Sequence, residues 1–557
     1  MRTSSHHERL KRVLSLLASL SVAGPTALAQ QVPDAGRILQ EQRAPLTLPP
    51  DARGFEIEQP IADSVAPGGA RVELVAIDIE GNSVFDSAQL LTALGDYASK
   101  QYDLAELHAL ADRLTQHYRE AGYPFARAYL PAQRSTEGRV RIVVIEGRYG
   151  AVRVRSEHPR FTDSAESYLQ HLTSGALIES GPLERAALLL EDLPGVSISS
   201  TMRPGDVVGA GDLLVDVHHD ERLRSDLTLD NHGNRYSGKH RLSSTLSWSS
   251  PFLFGDQLLV QGVLGDEDLR VGSIDYSLPI GTHGLRAQAA YAYTHYELGE
   301  EFAILGAAGR ARVASAGLSY PILRSHRANL NARFSYQHKA LEDRYRQIGF
   351  LERKHSHVLP LSVAFSLRDT AGGGSLTFGN LTWTHGQLHL GDALRDFDHA
   401  ASRTHGSFNK LNVDIARLQR LPNAFSLYTS LSAQWAADNL DSSESFGLGG
   451  ATAIRAHPTG EAFGDEGWLG QIELRYALGE LLPYVFFDHG QIRVNAKPGP
   501  TVERRSEHRS GAGIGLRWMT TDWRLEAVLA WRTSGAAPDS DPSDPQPRPW
   551  ISVARSF

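Results

Sequence analysis

Few residues of this chain are candidates for chemistry, and most of them have a simpler explanation. The pairs His218–His219 and His355–His357 could bind a metal, but neither has a third ligand at a convincing spacing, so no metal site is assigned. The glycines of Gly511 to Gly515 suggest a phosphate loop, yet no helix follows, which favours a strand. The sequence lacks G-x-S-x-G, H-E-x-x-H and supported pairs of catalytic carboxylates. An enzyme is therefore not expected, and no cofactor is assigned.

The stretch from Phe446 to Tyr476 is unusual because it contains seven glycines. A long glycine-rich insertion between two strands must be a loop, and long loops are usually functional. Its centre, Ile454 to Pro458 (IRAHP), carries the charged residue Arg455. A second phrase, Tyr484 to Gly490 (YVFFDHG), carries an aspartate shortly afterwards. Taken alone, the two charges are compatible with unrelated positions on a loop and a strand.

Strands must position both the loop and the second phrase. From about Leu223 to Phe557, apolar and polar residues alternate in short segments such as Leu242 to Trp248 and Phe425 to Trp435. Period two indicates strands with one apolar and one polar face. So many strands without a helical pattern between them predict a closed antiparallel barrel in lipid, apolar outside and polar within. At about 21 residues per strand and connection, there is room for about 16 strands.

Composition agrees with an exported membrane barrel. Cysteine is absent, which excludes disulfides and thiolate-bound metals. The net charge of −8 gives no reason to expect nucleic acid as a partner. The mean hydropathy is negative, as expected when only every second strand residue meets lipid.

The first 70 residues divide into three parts. Residues 1–29 are predicted to be a signal peptide, because a basic start precedes an apolar stretch that ends in the cleavage pattern Ala27 to Ala29. Asp34 to Arg43 could form a short polar helix. Ala44 to Ala70 contains five prolines and reads as an extended linker. We expect residues 30–70 to hold an N-terminal plug helix and its linker.

Two α+β units are predicted between the linker and the barrel, at residues 71–149 and 150–221. In the first, Asp86 and Asp103 are N-caps of two helices, and the second helix has apolar residues at helical spacing. Two strands follow. The second unit repeats the order strand, helix, helix, strand, strand, although its pattern is weaker.

Tandem units of this order before a barrel resemble POTRA domains, the periplasmic modules of the outer-membrane assembly and secretion superfamily to which BamA belongs. The phrases Ala121 to Ala126 (AGYPFA), Leu229 to Gly233 (LDNHG) and Pro251 to Asp256 (PFLFGD) resemble a POTRA link, a first barrel strand and a first periplasmic turn of that superfamily. The final residue, Phe557, resembles the signal by which the barrel-assembly machinery recognises its clients.

The phrase from Ile454 to Pro458 resembles the tip of the sixth extracellular loop of the two-partner secretion transporters, the TpsB family of ShlB/FhaC/HecB type. The second phrase resembles the family's F-x-D strand motif through Phe486 and Asp488. The resemblance implies that a loop at about 446–470 folds into the pore, where Arg455 pairs with Asp488 on the wall. A guanidinium presents a planar fork that a carboxylate accepts bidentately, and losing one partner of a partly desolvated pair is costly.

The neighbours of the pair are assigned supporting roles: Ile454, Ala456 and His457 in the loop, and Phe486 and Gly490 on the strand. Ala456 stands where the family has glycine, which makes a left-handed backbone less favourable there. His457 stands where the family has an aromatic residue, although imidazole is also planar. Neither departure removes the charge pair.

The resemblance implies a bacterial outer-membrane transporter with POTRA domains in the periplasm and a barrel at residues 222–557. It would export one large TpsA exoprotein, an adhesin or haemolysin, by two-partner (type Vb) secretion. Outer-membrane lipid and the barrel-assembly machinery are its other expected partners, nucleic acid is not, and we expect a monomer. An insertase of the same superfamily and a passive porin are the alternatives, and a porin would leave residues 71–220 unexplained.

Overall fold

A computed structural model describes residues 32–43, 45–49, 66–134, 137–156, 159–219, 222–400, 402–498 and 504–557. The expected signal peptide, residues 1–29, and much of the expected linker, residues 50–65, lie outside the described residues. The chain divides into two compact units, one formed by 51–220 with 324–326 and the other by the remaining residues. The helix predicted after the signal peptide is α1 (Ala35–Glu41), and Asp34 is its N-cap.

The smaller unit begins with an α+β module whose elements are β1 (Val72–Leu74), β2 (Ala76–Glu80), α2 (Ser87–Leu94), β3 (Lys100–Tyr102), α3 (Leu104–Glu120), β4 (Arg127–Tyr129) and β5 (Arg139–Ile145). β5 lies between β2, to which it is parallel, and β4, to which it is antiparallel. Asp86 and Asp103 cap the two helices in capping boxes, as predicted. Leu110, Leu114 and Tyr118 of α3 are buried against the sheet, so helical spacing identified the core face correctly.

The second module consists of β6 (Arg148–Ser156), α4 (Pro159–Leu169), α5 (Ser180–Glu191), β7 (Val196–Pro204) and β8 (Ala210–His219). β8 is central, parallel to β6 and antiparallel to β7. The order of elements is the predicted one. The second module begins at Arg148 rather than at residue 150, because β6 follows directly after Gly147, whose φ of 74° marks the turn between the modules.

The remaining strands are β9 (Leu223–Asp230), β10 (Arg241–Ser249), β11 (Gln257–Gly265), β12 (Arg270–Ile280), β13 (Leu285–Glu297), β14 (Ala307–Arg324), β15 (Ala328–Tyr345), β16 (Phe350–Asp369), β17 (Ser375–Leu390), β18 (Gly406–Arg420), β19 (Phe425–Ala436), β20 (Phe446–Gly447), β21 (Phe463–Gly464), β22 (Glu466–Tyr476), β23 (Leu481–Val494), β24 (Arg505–Met519), β25 (Trp523–Ser534) and β26 (Arg548–Ser556). All except β20 and β21 form one closed barrel of 16 strands, which confirms the predicted fold. A short helix, α6 (Asp392–Ala400), lies between β17 and β18. Among the described residues, no helix combines the length and apolarity needed to cross a bilayer.

Alternation along each strand separates the two faces of the barrel wall. On β15, Phe334 and Tyr336 point outward and are 51% and 42% exposed, whereas Lys339 and Asp343 point inward and are buried. An apolar outer face and a polar inner face that lines the lumen are typical of a membrane barrel. The buried charges of the lumen therefore need partners that come from inside the barrel.

The barrel closes where β26 pairs with β9, from Ser552 opposite Asp230 to Ser556 opposite Asp226. The last strand begins at Arg548 and ends at Ser556. Phe557 extends the seam, because its backbone N–H donates to the Ser225 carbonyl at 2.8 Å.

The connection between β19 and β22, which we call the lumenal loop, comprises residues 437–465 and contains the β20–β21 ribbon. The sequence-based range of about 446–470 is wrong at both ends. It omits 437–445, which contain no glycine, and it includes the start of β22, where glycines occur within a paired strand. Glycine content alone was a poor guide to the ends of this loop.

Candidate functional site

The tip of the lumenal loop is a tight turn that presents Arg455 to the barrel wall. The Gly450 N–H donates to the His457 carbonyl at 3.0 Å, and the His457 N–H donates to the Ile454 carbonyl at 2.9 Å. Gly450 has φ of 118°, a conformation that glycine adopts without strain. These bonds close the turn, and the backbone N–H and carbonyl of Arg455 remain for groups of the wall.

Arg455 makes three hydrogen bonds to Asp488 of β23. Its Nε lies 2.9 Å from Asp488 Oδ2, its Nη2 lies 2.6 Å from Oδ1, and its backbone N–H donates to Oδ2 at 3.1 Å. The side-chain contacts form a bidentate guanidinium–carboxylate pair. Arg455 is 3% exposed and Asp488 is 0% exposed. The structure thus brings together the two charges that the sequence singled out. Because both are buried, removing either partner would raise the free energy of the docked loop strongly.

A second carboxylate, which sequence reasoning missed, completes the environment of Arg455. Glu473 of β22 accepts from Arg455 Nη1 at 2.5 Å and also from Arg475 and Arg517. Arg517 in turn donates to Glu526 at 2.8 Å. Arg455 is therefore one end of a charge network across four neighbouring strands. In the sequence, the alternation of Glu473 with apolar Ile472 and Leu474 indicates that Glu473 points into the lumen.

Aromatic groups fix the plane of the guanidinium. The Cζ of Arg455 lies 3.6 Å from the centroid of the Phe486 ring, which is a cation–π contact. From the opposite side of the turn, Trp550 Nε1 donates to the Arg455 carbonyl at 2.7 Å. Phe486 was assigned a supporting role on sequence grounds. Trp550 was not, because only the closed barrel brings the last strand next to the loop.

Glycines on the wall make room for the loop tip. A Cβ at Gly511 would lie 2.4 Å from the Ala456 Cβ, and one at Gly513 would lie 2.5 Å from the Phe486 ring. Gly490 is similarly close to Leu448 and within 3.4 Å of Ile454. The glycines of β24 belong to a strand, as the sequence predicts. Their spacing of two residues places them on one face of β24, and glycines so placed often mark a strand that another part of the chain approaches closely.

His457 lies beyond the pair and is fully buried. Burial, together with the positive charge of Arg509, lowers the pKa of His457 to about 4. The imidazole is therefore neutral at physiological pH and contributes volume rather than charge to the packing of the loop. Ala456 does not have a positive φ, so its replacement of the family's glycine introduces no left-handed strain.

Three lysines of the inner wall hold the part of the loop that the sequence-based range omits. Lys339 and Lys410 both contact Glu444, with Lys410 Nζ 2.8 Å from Glu444 Oε2. Lys354 Nζ lies 2.7 Å from Asp441 Oδ2. All five groups are buried or nearly so. The lysines thus hold the start of the loop, and the Arg455 pair holds its tip.

The plug helix α1 docks on the same wall. Asp34 accepts from Lys354 Nζ at 2.9 Å and from Ser442 Oγ at 2.6 Å, and the Ala35 N–H donates to Asp343 at 2.9 Å. A Cβ at Gly36 would lie 2.5 Å from the Ser443 nitrogen, so only glycine allows this approach to the loop. Sequence reasoning predicted the helix, but not its partners, which lie more than 300 residues away along the chain.

Apolar contacts complete the docking of the helix. Ala35 and Ile38 are 0% exposed and pack in a cluster with Tyr236, Tyr296 and Phe302. At the other end, Asn234 donates to Glu41 at 2.7 Å. Burial raises the pKa of Glu41 to about 7, although that hydrogen bond opposes the shift. The helix therefore has an apolar anchor as well as its charge pairs.

The space left in the lumen is a cavity of about 1170 Å³ between the plug helix, the loop and the wall. Arg241, Arg333, Arg475 and Arg517 line it together with Glu473 and Glu526. Such a lumen is polar and wet rather than apolar, and it offers hydrogen-bonding groups to an extended polypeptide as well as to water.

Other sequence candidates lie away from this site. His355 and His357 are on the outward face of β16, where their ring centroids are 5.9 Å apart. Asp268, His295 and Glu297 form a cluster close enough to hold a cation, but arginines already pair with both carboxylates. Neither group contacts the loop, and neither is assigned a metal.

Two protein-family models match this chain. The model described as haemolysin secretion/activation protein ShlB/FhaC/HecB matches residues 209–518, and the model for the ShlB-type POTRA domain matches residues 72–147. The first match spans more than half of the chain and includes both the lumenal loop and the strand that carries Asp488.

Individual proteins that are similar to this chain are outer-membrane or heme/hemopexin transporters by name. The heme/hemopexin transporter protein HuxB of Haemophilus influenzae is 28% identical over 438 residues, covering 76% of each chain. The outer membrane transporter CdiB of Escherichia coli is 22% identical over 452 residues, covering 80% of this chain and 74% of the relative. Among solved structures, CdiB from Escherichia coli has a TM-score of 0.68 at 18% identity, covering 100% of this chain and 98% of that one. BamA from Haemophilus ducreyi lacking POTRA domains 1–3 has a TM-score of 0.51 at 13% identity, with coverages of 88% and 100%. At these identities, the structures establish the fold.

Removing the charge of Asp488 should loosen the loop tip. In D488N, Arg455 keeps Glu473 but loses its bidentate partner, so the docked state should lose about 3 kcal/mol, the lower end of the cost of breaking a buried pair. Because the chain has no cysteine, a nitroxide attached at Thr452 in a T452C background reports on the tip alone. Its EPR spectrum should gain a mobile component in D488N. The matched control is D438N, which removes an exposed carboxylate of the same loop that pairs with Lys497. Equal spectra for D488N and D438N would contradict the assignment.

Proposed function

Because the chain belongs to the family of haemolysin secretion/activation proteins ShlB/FhaC/HecB, we propose that it exports one large exoprotein of the adhesin or haemolysin type. It is an outer-membrane transporter of two-partner secretion, not an enzyme, and its POTRA domains lie in the periplasm. The family supports a secreted TpsA protein as the partner. The name of the HuxB relatives suggests an exoprotein for heme acquisition as the second cargo class to test.

The observation that carries the proposal is the occupied lumen. Both the plug helix and the lumenal loop fill the barrel, and buried charge pairs hold each of them. A passive porin needs neither element. A transporter that must stay closed until its cargo arrives needs a plug that is positioned specifically and can still be released. Ion pairs suit this role, since water can solvate both partners after separation.

Export begins at the POTRA domains. The secretion domain of the partner emerges unfolded in the periplasm and docks by adding a strand to a sheet edge. β7 of the second module is an edge strand of nine residues. Its neighbour on one side is β8, which leaves the other side of β7 available for pairing within that sheet.

Release of the plug follows. Lys354 is shared between Asp34 of the helix and Asp441 of the loop. When the helix leaves, Lys354 keeps Asp441 as a counter-ion, so the helix can depart without leaving an unpaired buried charge on the wall. The loop then shifts at Arg455, and the cargo passes in extended form.

Folding of the exoprotein outside supplies the driving force for export, because the periplasm holds no nucleoside triphosphate.

If the protein were an insertase, the seam between the first and last barrel strands would have to open sideways. The β26–β9 seam is paired from Phe557 to Ile551, with Asn231 bonding across it to Ile551 and Pro549. This continuous bonding supports a pore over a seam that opens sideways.

We further propose that Phe557 is the recognition signal for the barrel-assembly machinery, that lipid surrounds the outer face, and that the protein acts as a monomer.

Export should depend on Arg455. We expect R455A to reduce secretion of the partner into the medium by about tenfold or more, because the tip loses both Asp488 and Glu473 and no longer defines the pore. Secretion is measured by immunoblotting of medium and periplasm, and heat-modifiable migration verifies that the barrel is assembled. R493A, which removes an exposed arginine paired with Glu466, is the matched control. Full export by assembled R455A would remove the loop tip from the mechanism.

The plug helix should control conductance. Deleting residues 34–43 removes the apolar anchor and the Asp34–Lys354 pair, so single channels in planar bilayers should show larger and longer openings. D34N should have a smaller effect in the same direction, since the apolar contacts of Ile38 remain. R43Q, which breaks the pair between the exposed Arg43 and Asp414 and leaves Asp34 and the apolar anchor in place, serves as the control. Unchanged conductance after the deletion would favour a simple open pore.

A further inference from the structure

The outward face of strands β12 to β16 changes from apolar residues to polar residues that include several arginines. On β16, every outward residue from Leu367 to Leu359 is apolar, and the next three are His357, His355 and Arg353. On β14, the outward series of Leu318, Ala316 and Ala314 is followed by Arg312 and Arg310. The neighbouring strands become polar at the same end, with His295 and Glu297 outward on β13 and Glu342 and Arg344 outward on β15.

Aromatic residues mark the boundary. Tyr291 and Tyr293 on β13, Tyr336 on β15 and Trp383 on β17 point outward just before the basic positions. Such residues concentrate where the hydrocarbon of a membrane meets its headgroups. Since the chain enters β9 from the periplasmic POTRA domains, the later ends of β13, β15 and β17 face the exterior. The basic residues therefore lie at the level of the outer-leaflet headgroups.

We define the arginine patch as the outward or strand-end residues Arg270, Arg310, Arg312, Arg344, Arg346 and Arg353. Several are strongly exposed, with side-chain exposures of 65% for Arg270, 53% for Arg346 and 69% for Arg353. Six guanidinium groups within one face of five adjacent strands repel one another unless anions compensate them.

Among the residues that the structure describes, too few carboxylates pair with the patch. Asp268 pairs with Arg270, and Glu297 pairs with Arg346. Glu342 alone serves three arginines, since Arg310 contacts it, Arg353 Nε lies 3.1 Å away and Arg344 Nη2 lies 3.6 Å away. These three carboxylates balance half of the six charges, which leaves donors of several guanidinium groups directed at their surroundings.

A cleft of about 450 Å³ lies within the patch, lined by Arg270, His295, Arg310, Glu342, Arg344 and Arg346. Its excess of positive charge favours an anion over a cation, even though Asp268, His295 and Glu297 converge nearby. The planar fork of arginine matches phosphate oxygens bidentately. The chemistry of the cleft thus fits a phosphate group better than a metal ion.

Arginines are most numerous on this side of the barrel, whereas at the same end of β23 and β24 Arg493 and Arg504 share Glu466. Near the same end of β9 and β11, the outward residues are Leu229 and Leu264, which are 58% and 53% exposed. A general requirement of the headgroup region would produce a continuous basic ring. The concentration of six arginines on β12–β16 instead indicates a specific binding site.

We propose that the arginine patch binds the phosphate groups of a phosphorylated glycolipid in the outer leaflet. The site lies directly across the wall from the docking site of the plug helix, because Glu342 and Arg353 alternate with the inward-facing Asp343 and Lys354. A bound glycolipid holds these strands together from outside and so keeps the helix-docking surface in shape. Its acyl chains lie along the apolar band below the patch.

The test uses the full chain in detergent, with a purified acylated diglucosamine bisphosphate as the probe and native mass spectrometry as the measurement. R310Q/R344Q/R353Q should bind the probe at least about tenfold more weakly than wild type, since several charge-assisted hydrogen bonds are lost. The matched control is R493Q/R504Q, which neutralises two arginines that share Glu466 elsewhere on the barrel. The control should bind like wild type.

Two further arms identify the ligand chemistry. The dephosphorylated glycolipid should bind wild type as weakly as the bisphosphate binds the triple variant. Inorganic phosphate alone should not displace the bound glycolipid at equal concentration, because it lacks the acyl chains. If the triple variant does not assemble into a heat-modifiable barrel, R353Q is used, and a measurable loss of about threefold is expected. Undiminished binding by the assembled variant, or equal binding of the dephosphorylated lipid, would overturn the proposal, as would displacement by free phosphate.

Discussion

A charge inside a narrow barrel must be paired, and this constraint organises the interior of the protein. Arg455 is 3% exposed and has two carboxylates, while Lys354, Lys339 and Lys410 of the wall have the acids of the loop and helix. Leaving any of these groups alone would cost several kcal/mol. The wall therefore restricts where the loop and the helix can lie, because both must bring their acids to these lysines while Arg455 reaches Asp488 and Glu473.

Pairing of this kind specifies position more than it adds stability. The attraction within a buried ion pair is largely offset by the loss of hydration, so the net free energy of docking is modest. That balance suits elements that must be displaced during transport, since separated charges can be solvated in a wet lumen. Apolar packing, as between Ile38 and Tyr296, supplies the remainder for the helix. The shared Lys354 and the close approach of Gly36 to the loop make the helix and the loop neighbours in one assembly.

The sequence predicted the barrel well because lipid imposes strict alternation on every strand, and the capped helices of the first module had equally local signals. Prediction failed where the cause is distant along the chain. The partners of Asp34 and Arg455, including Lys354 and Glu473, become neighbours only after the barrel closes. The loop segment 437–445 has no glycine to mark it, and inward lysines look like any lumenal polar residue. The pairing of Arg455 with Asp488 was expected only through a family resemblance.

The central claim is that Arg455 and Asp488 act on the loop as a pair. The most direct measurement is a double-mutant cycle in which the reactivity of T452C toward a thiol reagent gives the free energy of loop release in R455A, D488A and the double variant. Our account predicts strong non-additivity, with a coupling of about 1.5 kcal/mol or more and the double variant close to either single one. Additive effects of the two substitutions would show that these residues act independently, and would contradict the account.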